Sequence, residues 1–391
     1  MSNSLKNCID VDDKYSCCGC FACEGKCPTN AISINVDEEG FLYPTIDENK
    51  CVLCGKCVKV CAFRANRKNP YPHHDVVIVK SYAVQHKDDE VRANSRSGGI
   101  FTALSDEVLN DGGVVYGCVM ETPTRAIHAR ATSPEQRDKM RGSKYIESDL
   151  SGIFPQVEKD LMDGKHVLFT GTSCQVAALK FFLGKEYENL LCVDIICHGV
   201  PSPLVWNDYV AWLEGKNSAK CECADFRDKG RFGWRAHFET LYLMDQDGRS
   251  KAISSDIFKT LFFGHKILRK SCFVCPYKSI EHPADITIGD FWGIENAAPE
   301  FDDNRGVSLV LVNNQKGKLA RNDCEHVLRW KETDINKSMQ PALEAPFSEP
   351  KDRGEFWERY KRWDFSKIAK KYGRVTFMQR LKRFVKGKLV K

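Results

Sequence analysis

The spacing of apolar residues predicts a short N-terminal segment with small strands, followed by a long α/β segment. Apolar runs at residues 31–34 and 41–46 are typical of short strands. From residue 76 onward, strand-like runs recur at residues 76–79, 82–85, 114–119, 166–170, 190–196 and 307–312. Helices are predicted between several of these strands. One of them has an apolar face formed by Ile100, Phe101, Leu104 and Val108. Further helices are predicted through Leu179 and Phe182 and around residues 206–212.

Two runs of four cysteines in the first segment have identical spacing, C-x2-C-x2-C-x3-C. This is the spacing of bacterial two-cluster ferredoxins, in which the fourth cysteine of each run ligates the other cluster. We therefore assign Cys17, Cys20, Cys23 and Cys61 to one 4Fe-4S cluster. Cys51, Cys54, Cys57 and Cys27 are assigned to the second. Residues 1–66 are thus predicted to be a two-cluster ferredoxin domain that transfers single electrons.

Zinc binding and disulfide formation fit the two cysteine runs less well. Zinc sites usually pair separated C-x2-C units or include histidine, and no histidine lies between Cys8 and Cys61. A disulfide framework needs an oxidising compartment. Pro28 follows the first run as in ferredoxins, whereas Ala62 follows the second. Cys18 is an additional cysteine, and the spacing favours Cys17 as the ligand.

The composition is that of a globular protein with more than one domain. The chain has 391 residues, of which 42% are hydrophobic and 28% are charged, and 19 are cysteines. We see no signal peptide and no apolar stretch long enough to span a bilayer, so we expect a cytoplasmic protein with reduced thiols. Residues 67–78 contain two prolines in a short stretch and are predicted to be a linker.

The C-terminal residues differ in charge from the rest of the chain. Residues 351–391 contain 15 Lys and Arg but 4 Asp and Glu, whereas the whole chain has a net charge of +5. We define residues 346–391 as a basic tail, in which apolar residues recur at helical spacing after residue 374. Such a helix fits the inner face of an anionic membrane or an acidic partner protein, or it is simply solvated. We do not expect nucleic-acid binding, because no recognition motif accompanies the basic residues.

Three loops of the α/β segment carry glycine and hydroxyl groups beside helix starts. Ser97, Gly98 and Gly99 precede one predicted helix, and Gly171 and Thr172 precede another. Free backbone N–H groups at such positions bind phosphate, although many similar loops serve only as helix caps. The third loop, residues 141–145, includes Ser143 and Lys144. It is either a pyrophosphate or flavin contact or an ordinary solvated loop.

A second set of cysteines occupies loops in the α/β segment. The set consists of Cys174, Cys197, Cys272 and Cys275, and the last two have ligand spacing. These four either bind a third cluster or a zinc ion, or they include buried small apolar residues. The spacing alone does not separate these interpretations.

Six motifs in order resemble the beta subunits of coenzyme F(420)-reducing hydrogenases and formate dehydrogenases and their relatives. They are the segments 97–104, 142–145, 171–179, 197–202, 272–275 and 284–293. The resemblance implies an α/β fold in which a mixed-sheet flavin-binding domain follows a small α+β bacterial-type ferredoxin domain. The corresponding parts are residues 79–165, the N-terminal part of the beta-subunit domain, and residues 166–345, its C-terminal part.

The resemblance also implies one FAD, contacted by Ser97, Gly98, Gly99, Ser143, Lys144, Gly171 and Thr172. It favours Cys174, Cys197, Cys272 and Cys275 as ligands of a third cluster, and it leaves the catalytic residues unknown. Asp194, His198, Asp285 and Asp290 are candidates for proton transfer, for hydrogen bonds to sulfur, or for structural roles.

The implied function is an oxidoreductase that moves electrons between a one-electron donor and an organic hydride acceptor. Ferredoxin or another redox protein would be the donor, and a small molecule would be the substrate. Bacterial relatives are associated with surface polysaccharide biosynthesis. The alternative is a non-catalytic electron-transfer subunit of a larger dehydrogenase or hydrogenase complex.

Overall fold

The computed structural model describes residues 8–9, 12–63 and 79–374. The predicted linker at residues 67–78 lies outside this range, as do the strand predicted at residues 76–79, except for Val79, and the tail residues after 374.

The structure contains fourteen strands in the described ranges. They are β1 Ile32–Val36, β2 Leu42–Ile46, β3 Lys80–His86, β4 Val114–Thr122, β5 Arg125–Ala131, β6 Ser148–Asp149, β7 Val167–Thr172, β8 Leu190–Ile195, β9 Ala219–Asp225, β10 Glu239–Asp245, β11 Ser250–Ser255, β12 Ile286–Asp290, β13 Ser308–Val312 and β14 Leu328–Thr333.

Sixteen α-helices accompany these strands in the described ranges, many of them a single turn. They are α1 Ala22–Gly25, α2 Lys56–Lys59, α3 Asp89–Asn94, α4 Ile100–Asn110, α5 Pro134–Asp138, α6 Ile153–Met162, α7 Ser173–Leu183, α8 Pro203–Asn217, α9 Lys229–Phe232, α10 Ile257–Phe263, α11 Ile294–Ala297, α12 Gln315–Asp323, α13 Ile335–Ser338, α14 Pro341–Glu344, α15 Arg353–Tyr360 and α16 Phe365–Tyr372. The same part of the chain also contains the 3-10 helices Lys14–Ser16, Lys270–Val274 and Pro299–Phe301.

The N-terminal module is built on a β-hairpin and two one-turn helices. Strands β1 and β2 pair antiparallel, with Ile32 opposite Ile46. Helices α1 and α2 carry Cys23 and Cys57, and each follows a residue in the left-handed region, Phe21 at φ 59° and Gly55 at φ 71°. These sharp entries turn the cysteine loops back toward the hairpin.

A nine-stranded mixed sheet forms the centre of the α/β part, in the order β14-β3-β13-β12-β8-β7-β4-β5-β6. Strands β12, β8, β7 and β4 run parallel, and the outer strands on both sides include antiparallel pairs. The sheet confirms the predicted mixed α/β class. Its strands come from both predicted parts of the beta-subunit domain, residues 79–165 and residues 166–345. In a parallel sheet, loops at the carboxyl ends of the strands form the usual ligand crevice.

Helix α7 is the most deeply buried helix beside this sheet. Its residues Val176, Ala177, Ala178 and Leu179 are fully buried, in contact with a core that includes Phe169. Thr172 begins the helix with a capping box to Gln175, which satisfies two backbone N–H groups. The cap fixes the turn that carries Cys174.

A second layer consists of the antiparallel sheet β11-β10-β9 and four helices, α8, α10, α15 and α16. Its core surrounds Trp206, which is fully buried, and includes Phe356 and Ile368. Residues 353–372, which belong to the segment defined above as the basic tail, are therefore part of this layer. Their apolar residues pack into this core because α15 and α16 cover α8 and α10.

Two buried arginines join the N-terminal module to the α/β part. Arg269 forms an ion pair with Glu147 and donates to the carbonyl oxygens of Cys17 at 2.8 Å and Leu42 at 2.9 Å. Arg353 pairs with Glu39, with Nη1 at 2.8 Å from Oε1. Both pairs are buried, so loss of either partner would leave an uncompensated charge where the module meets the α/β part.

Candidate functional site

A cavity of about 1150 Å³ lies at the carboxyl ends of the parallel strands. Loops after β3, β7, β8 and β12 line it, together with residues 140–148 and helix α10. Cys18 and Gly19 of the N-terminal module also reach the wall. The volume suits a large cofactor together with a small molecule.

The structure brings most of the predicted flavin contacts to this cavity. The lining includes Ser97, Gly99, Ser143, Lys144, Gly171 and Thr172. Gly98 does not line it, because the Gly98 backbone donates to Ser308 Oγ at 2.9 Å and accepts from the N–H of His86 at 2.6 Å. Gly98 therefore positions its neighbours between strands β3 and β13.

Several of these side chains already have partners inside the protein. Ser97 Oγ donates to the carbonyl oxygen of Val307 at 2.6 Å. Lys144 Nζ donates to three carbonyl oxygens of residues 139, 141 and 142, at 2.8 to 3.2 Å. Burial lowers the pKa of Lys144 to about 8. These two side chains shape the cavity wall, and α4 begins beside them at Gly99 without a side-chain cap.

Cys23 lies near three other cysteines of the N-terminal module. Burial raises the pKa of Cys23 well above its ordinary value, and the charges of Cys20, Cys17 and Cys61 raise it further. Arg269 Nη2 lies 3.5 Å from Cys17 Sγ and places a positive charge beside the set. These are the residues assigned to the first cluster.

In the other N-terminal set, Cys51 and Cys54 lie near Cys57, and Cys8 lies beside them. Burial and the charges of Cys54 and Cys51 raise the pKa of Cys57. Cys27 packs against the apolar cluster that contains Cys57. Cys8, which the spacing did not single out, lies beside this set, with its Sγ 3.3 Å from Cys51 Sγ.

The loop cysteines form a third set, which we call the inner thiols: Cys174, Cys197, Cys272 and Cys275. They line one small internal cavity. Burial raises the pKa of Cys197 to about 12 and that of Cys272 to about 11, with further increases from the charges of neighbouring thiols. Thiols of such high pKa are poor nucleophiles, so these two do not resemble catalytic cysteines.

Cys18 connects the inner thiols with the N-terminal module. Hydrogen bonds to Cys174 and Cys20, together with burial, raise its pKa well above the ordinary value. Cys18 also lines both the large cavity and the small one. The cysteine spacing favours Cys17 over Cys18 as a ligand. It does not predict that Cys18 lies between the two cavities, because that location follows from the packing of the module.

Backbone N–H groups point at sulfur in all three sets. Ala31 N lies 3.2 Å from Cys27 Sγ, and Val200 N lies 3.4 Å from Cys272 Sγ. Burial raises the pKa of Cys17, and the charge of Arg269 and a hydrogen bond from the Gly19 backbone oppose that rise. Such donors stabilise negative charge on cluster sulfurs. No group of three or more His, Cys, Asp or Glu side chains in the described ranges is arranged around a single metal ion.

The acidic candidates near the motifs have structural partners. Asp194 Oδ2 lies 2.8 Å from His282 Nδ1, and Asp285 Oδ2 accepts from the Cys192 N–H at 2.7 Å. Asp290 pairs with Arg227 and accepts from Trp234 Nε1 at 2.6 Å. His198 lines the cavity with Nε2 at 2.9 Å from His265 Nε2. Of these three carboxylates, Asp290 reaches the cavity.

Comparison with known families matches nearly the whole described chain. Residues 81–154 and 164–337 match the N-terminal and C-terminal parts of the coenzyme F(420) hydrogenase/dehydrogenase beta subunit. Residues 16–65 match the 4Fe-4S dicluster domain. The chain belongs to the coenzyme F(420) hydrogenase/dehydrogenase beta subunit family. It is therefore an iron–sulfur protein of an oxidoreductase family, as the motifs predicted.

Two similar proteins extend the comparison of this beta-subunit family member. One component of the Na(+)-translocating ferredoxin:NAD(+) oxidoreductase complex of Acetobacterium woodii is 44% identical over 48 residues. That match covers 12% of this chain and 13% of the relative. A chain of the F(420)-reducing NiFe hydrogenase complex of Methanosarcina barkeri aligns with a TM-score of 0.43 and 18% identity, over 64% of this chain and 81% of that one. Within the described ranges, no helix has the length and apolarity needed to cross a membrane.

Proposed function

We propose that the chain is an FAD- and iron–sulfur-dependent oxidoreductase that exchanges electrons between a redox protein, such as ferredoxin, and an organic hydride acceptor. The observation that carries the proposal is the shared wall of the two cavities. Cys18, Thr172 and Cys197 line both the large cavity and the cavity of the inner thiols. A cofactor in the large cavity would therefore lie next to sulfur ligands.

The large cavity fits FAD in size and in chemistry. Its lining combines helix-start backbone at Gly99, the capped turn at Gly171 and Thr172, and aromatic side chains such as Tyr145. Gly171 has a packing reason as well, because a Cβ there would lie 2.9 Å from Gln175 Oε1. FAD, when bound, exchanges a hydride with an organic substrate and single electrons with iron–sulfur centres.

The inner thiols fit a third 4Fe-4S cluster. Four partly buried thiols line one cavity, and backbone N–H groups of Val200 and Gly199 point at two of them. Lys278 lies close enough for its positive charge to interact with three of the thiols. Nearby cations and hydrogen bonds compensate the negative charge that deprotonated ligands carry.

The N-terminal module supports docking of a redox protein. The loop of the second predicted cluster exposes Val52 by 62% and Leu53 by 40%, and Cys54 is exposed beside them. Apolar residues next to a cluster are suited to a transient electron-transfer contact, which is commonly small. The basic residues after 374 would add contact with an anionic membrane surface or an acidic partner.

The substrate is proposed only as a class. The resemblance to bacterial relatives supports a role in surface polysaccharide biosynthesis, and a small organic hydride acceptor would share the large cavity with the cofactor. Turnover of such a molecule by the isolated chain would separate this proposal from a purely electron-transferring subunit.

Cofactor analysis of variant proteins tests the proposal directly. The chain is purified anaerobically and assayed for iron, sulfide and flavin. We expect one FAD and about twelve irons per chain, with about four fewer irons in Cys174→Ser. Cys223→Ser is the matched control, because Cys223 is exposed on β9 away from all three sets.

Each result has a definite meaning. About eight irons in the unmodified chain, with Cys174→Ser unchanged, would remove the third cluster. Clusters without flavin, even after incubation with FAD, would contradict the flavoenzyme and favour the electron-transfer subunit. Iron loss in Cys223→Ser equal to that in Cys174→Ser would show that the assay reports damage and not ligation.

A further inference from the structure

Three buried nitrogen atoms without a hydrogen-bond partner meet at one end of the large cavity. Eleven buried side-chain polar atoms in the described ranges have no partner. Three of these belong to residues close to or lining the large cavity, namely Arg96 Nε, Arg227 Nε and His237 Nδ1. The two arginine Nε atoms are donors, and leaving a buried donor unpaired is costly.

The three residues come from separate segments and converge. Arg96 precedes α4, whereas Arg227 and His237 flank α9. The Arg227 guanidinium lies 5.0 Å from the ring centre of Trp292, and the His237 ring lies 5.3 Å from the same ring. Arg96 Nη1 and the Arg227 backbone N–H both reach Asp225 Oδ1, at 3.4 and 2.8 Å, which brings these two segments together. No single sequence motif contains all three residues.

Existing partners take up terminal nitrogens of both guanidiniums and leave each Nε–H without a partner, since Arg227 Nη2 also donates to the Trp234 carbonyl oxygen at 2.8 Å. Asp225 contacts Arg96 Nη1 at 3.4 Å and is 45% exposed. Asp290 pairs with Arg227 but also accepts the Trp234 N–H. Burial and the neighbouring charge of Arg227 lower the pKa of His237 to about 3, so the imidazole is neutral at physiological pH. The cavity lining here therefore carries two guanidiniums, each with an Nε–H that has no partner, and a neutral imidazole.

Two buried arginines elsewhere in the described ranges have a bonded Nε. Arg92 donates from Nε to the Gly306 carbonyl oxygen and from both terminal nitrogens to Asp303. Arg137 donates from Nε to Asp138. Two more arginines, Arg321 and Arg353, have an unpartnered Nε, but neither lines the large cavity. A cluster of such groups in a cavity is therefore particular, within the described ranges, to Arg96, Arg227 and His237.

We propose that Arg96, Arg227 and His237 form an oxyanion subsite, which binds the phosphate or carboxylate group of a ligand in the large cavity. Guanidinium groups bind such anions through paired, charge-assisted hydrogen bonds. The anion site is inferred from these three residues alone. That its ligand takes part in electron transfer rests on the proposed function. The anion belongs either to the pyrophosphate of the cofactor or to the substrate, and the experiment separates these sources.

Calorimetric titration with inorganic phosphate and with pyrophosphate tests the subsite. The full chain is titrated anaerobically with flavin bound and after flavin removal, as are Arg96→Gln and Arg227→Lys. We expect saturable binding that weakens at least tenfold in Arg96→Gln and clearly in Arg227→Lys, which keeps the charge facing Asp290 but loses the fork. Arg305→Gln is the control, because Arg305 is 50% exposed, pairs with Asp89 and lies outside the cavity lining.

The pattern of binding identifies the source of the anion. Arg96-dependent binding to the flavin-loaded chain assigns the subsite to the substrate. Binding only after flavin removal, together with flavin loss in Arg96→Gln, assigns it to the cofactor. Absence of binding in both forms, or equal binding by all variants with unchanged melting temperatures, overturns the subsite. If the chain takes up no flavin while phosphate binding still depends on Arg96, the proposed function fails and the subsite stands.

Discussion

Glu239 is a buried carboxyl outside the large cavity whose protonation is coupled to folding. Its Oε1 accepts from the N–H of Phe258 at 3.0 Å and from Tyr209 Oη at 3.2 Å. Its Oε2 is buried without a partner among the described residues. Burial raises the pKa of Glu239 from 4.5 to about 7, because the charged form would lose its hydration. The folded protein therefore holds this proton at a pH where the unfolded chain releases it.

We predict that Glu239→Gln flattens the pH dependence of stability. The protonated carboxyl contributes stability that is complete below pH 4.5 and is lost as pH rises to about 7. Across this interval the unmodified chain should lose roughly 1 to 3 kcal/mol more unfolding free energy than the variant. Urea unfolding at pH 5 and pH 7.5 measures the difference. Equal losses in both proteins would show that Glu239 is charged in the folded state.

At the scale of elements, Gly98 decides how the loop before α4 meets the sheet. A Cβ on Gly98 would collide with the carbonyl oxygen of Val84 and lie 2.7 Å from the N–H nitrogen of Ser308. Both neighbours are backbone atoms of paired strands, so they cannot move aside locally. Gly98 is thus needed for close approach of the chain, and this approach places Ser97 and Gly99 in the cavity wall.

We predict that Gly98→Ala destabilises the protein by roughly 1 to 3 kcal/mol, as overpacking does, and lowers flavin retention. Gly215→Ala is the matched control. A Cβ there meets no atom within 4 Å, and the position lies within helix α8, so the change should stabilise by up to about 1 kcal/mol. Denaturant midpoints and flavin content of both variants give the test. A Gly98→Ala protein as stable as the unmodified chain would contradict the packing explanation.

The elements also show which features the sequence could predict. The cysteine runs were informative because each cluster draws three ligands from one short loop, so their spacing survives in the sequence. Likewise, the helix at α4 and the strand at β8 have local apolar patterns and lie where predicted. The approach of Arg96 to Arg227 had no such pattern, since packing of distant segments creates it. Gly98 was predicted as a flavin contact because a glycine-rich helix start looks the same whether it faces a ligand or a strand.

At the scale of the whole molecule, the last described helices hold the N-terminal module in place. Arg353 at the start of α15 pairs with Glu39 of the module and donates to the Leu268 carbonyl oxygen at 2.9 Å. Phe356 and Ile368 are fully buried against the core around Trp206. The basic composition of residues 351–391 concealed this, because charged residues on the outer faces of α15 and α16 outnumber the few apolar ones that pack inward.

We therefore predict opposite results for two truncations. A chain ending at residue 374 should keep its iron, flavin and melting temperature, because it retains both buried helices. A chain ending at residue 352 loses Arg353, which leaves Glu39 buried and unpaired at a cost of about 3 to 5 kcal/mol. It also loses the buried side chains of α15 and α16, each contributing about 1.5 to 3 kcal/mol. Together these losses approach the whole stability of a typical domain, so this chain should fail to retain its clusters.

The two truncations are tested by measuring iron content and thermal melting of both truncated proteins beside the full chain. Binding of the full chain, but not of the 374 truncation, to anionic vesicles would assign the last residues to a membrane surface. If the 374 truncation loses flavin, the residues after 374 belong to the folded unit. That result would contradict the division into a packed part and a basic tail. If the 352 truncation keeps its clusters, the module is held by Arg269 without help from α15, since that residue joins Glu147 to the backbone of Cys17 and Leu42.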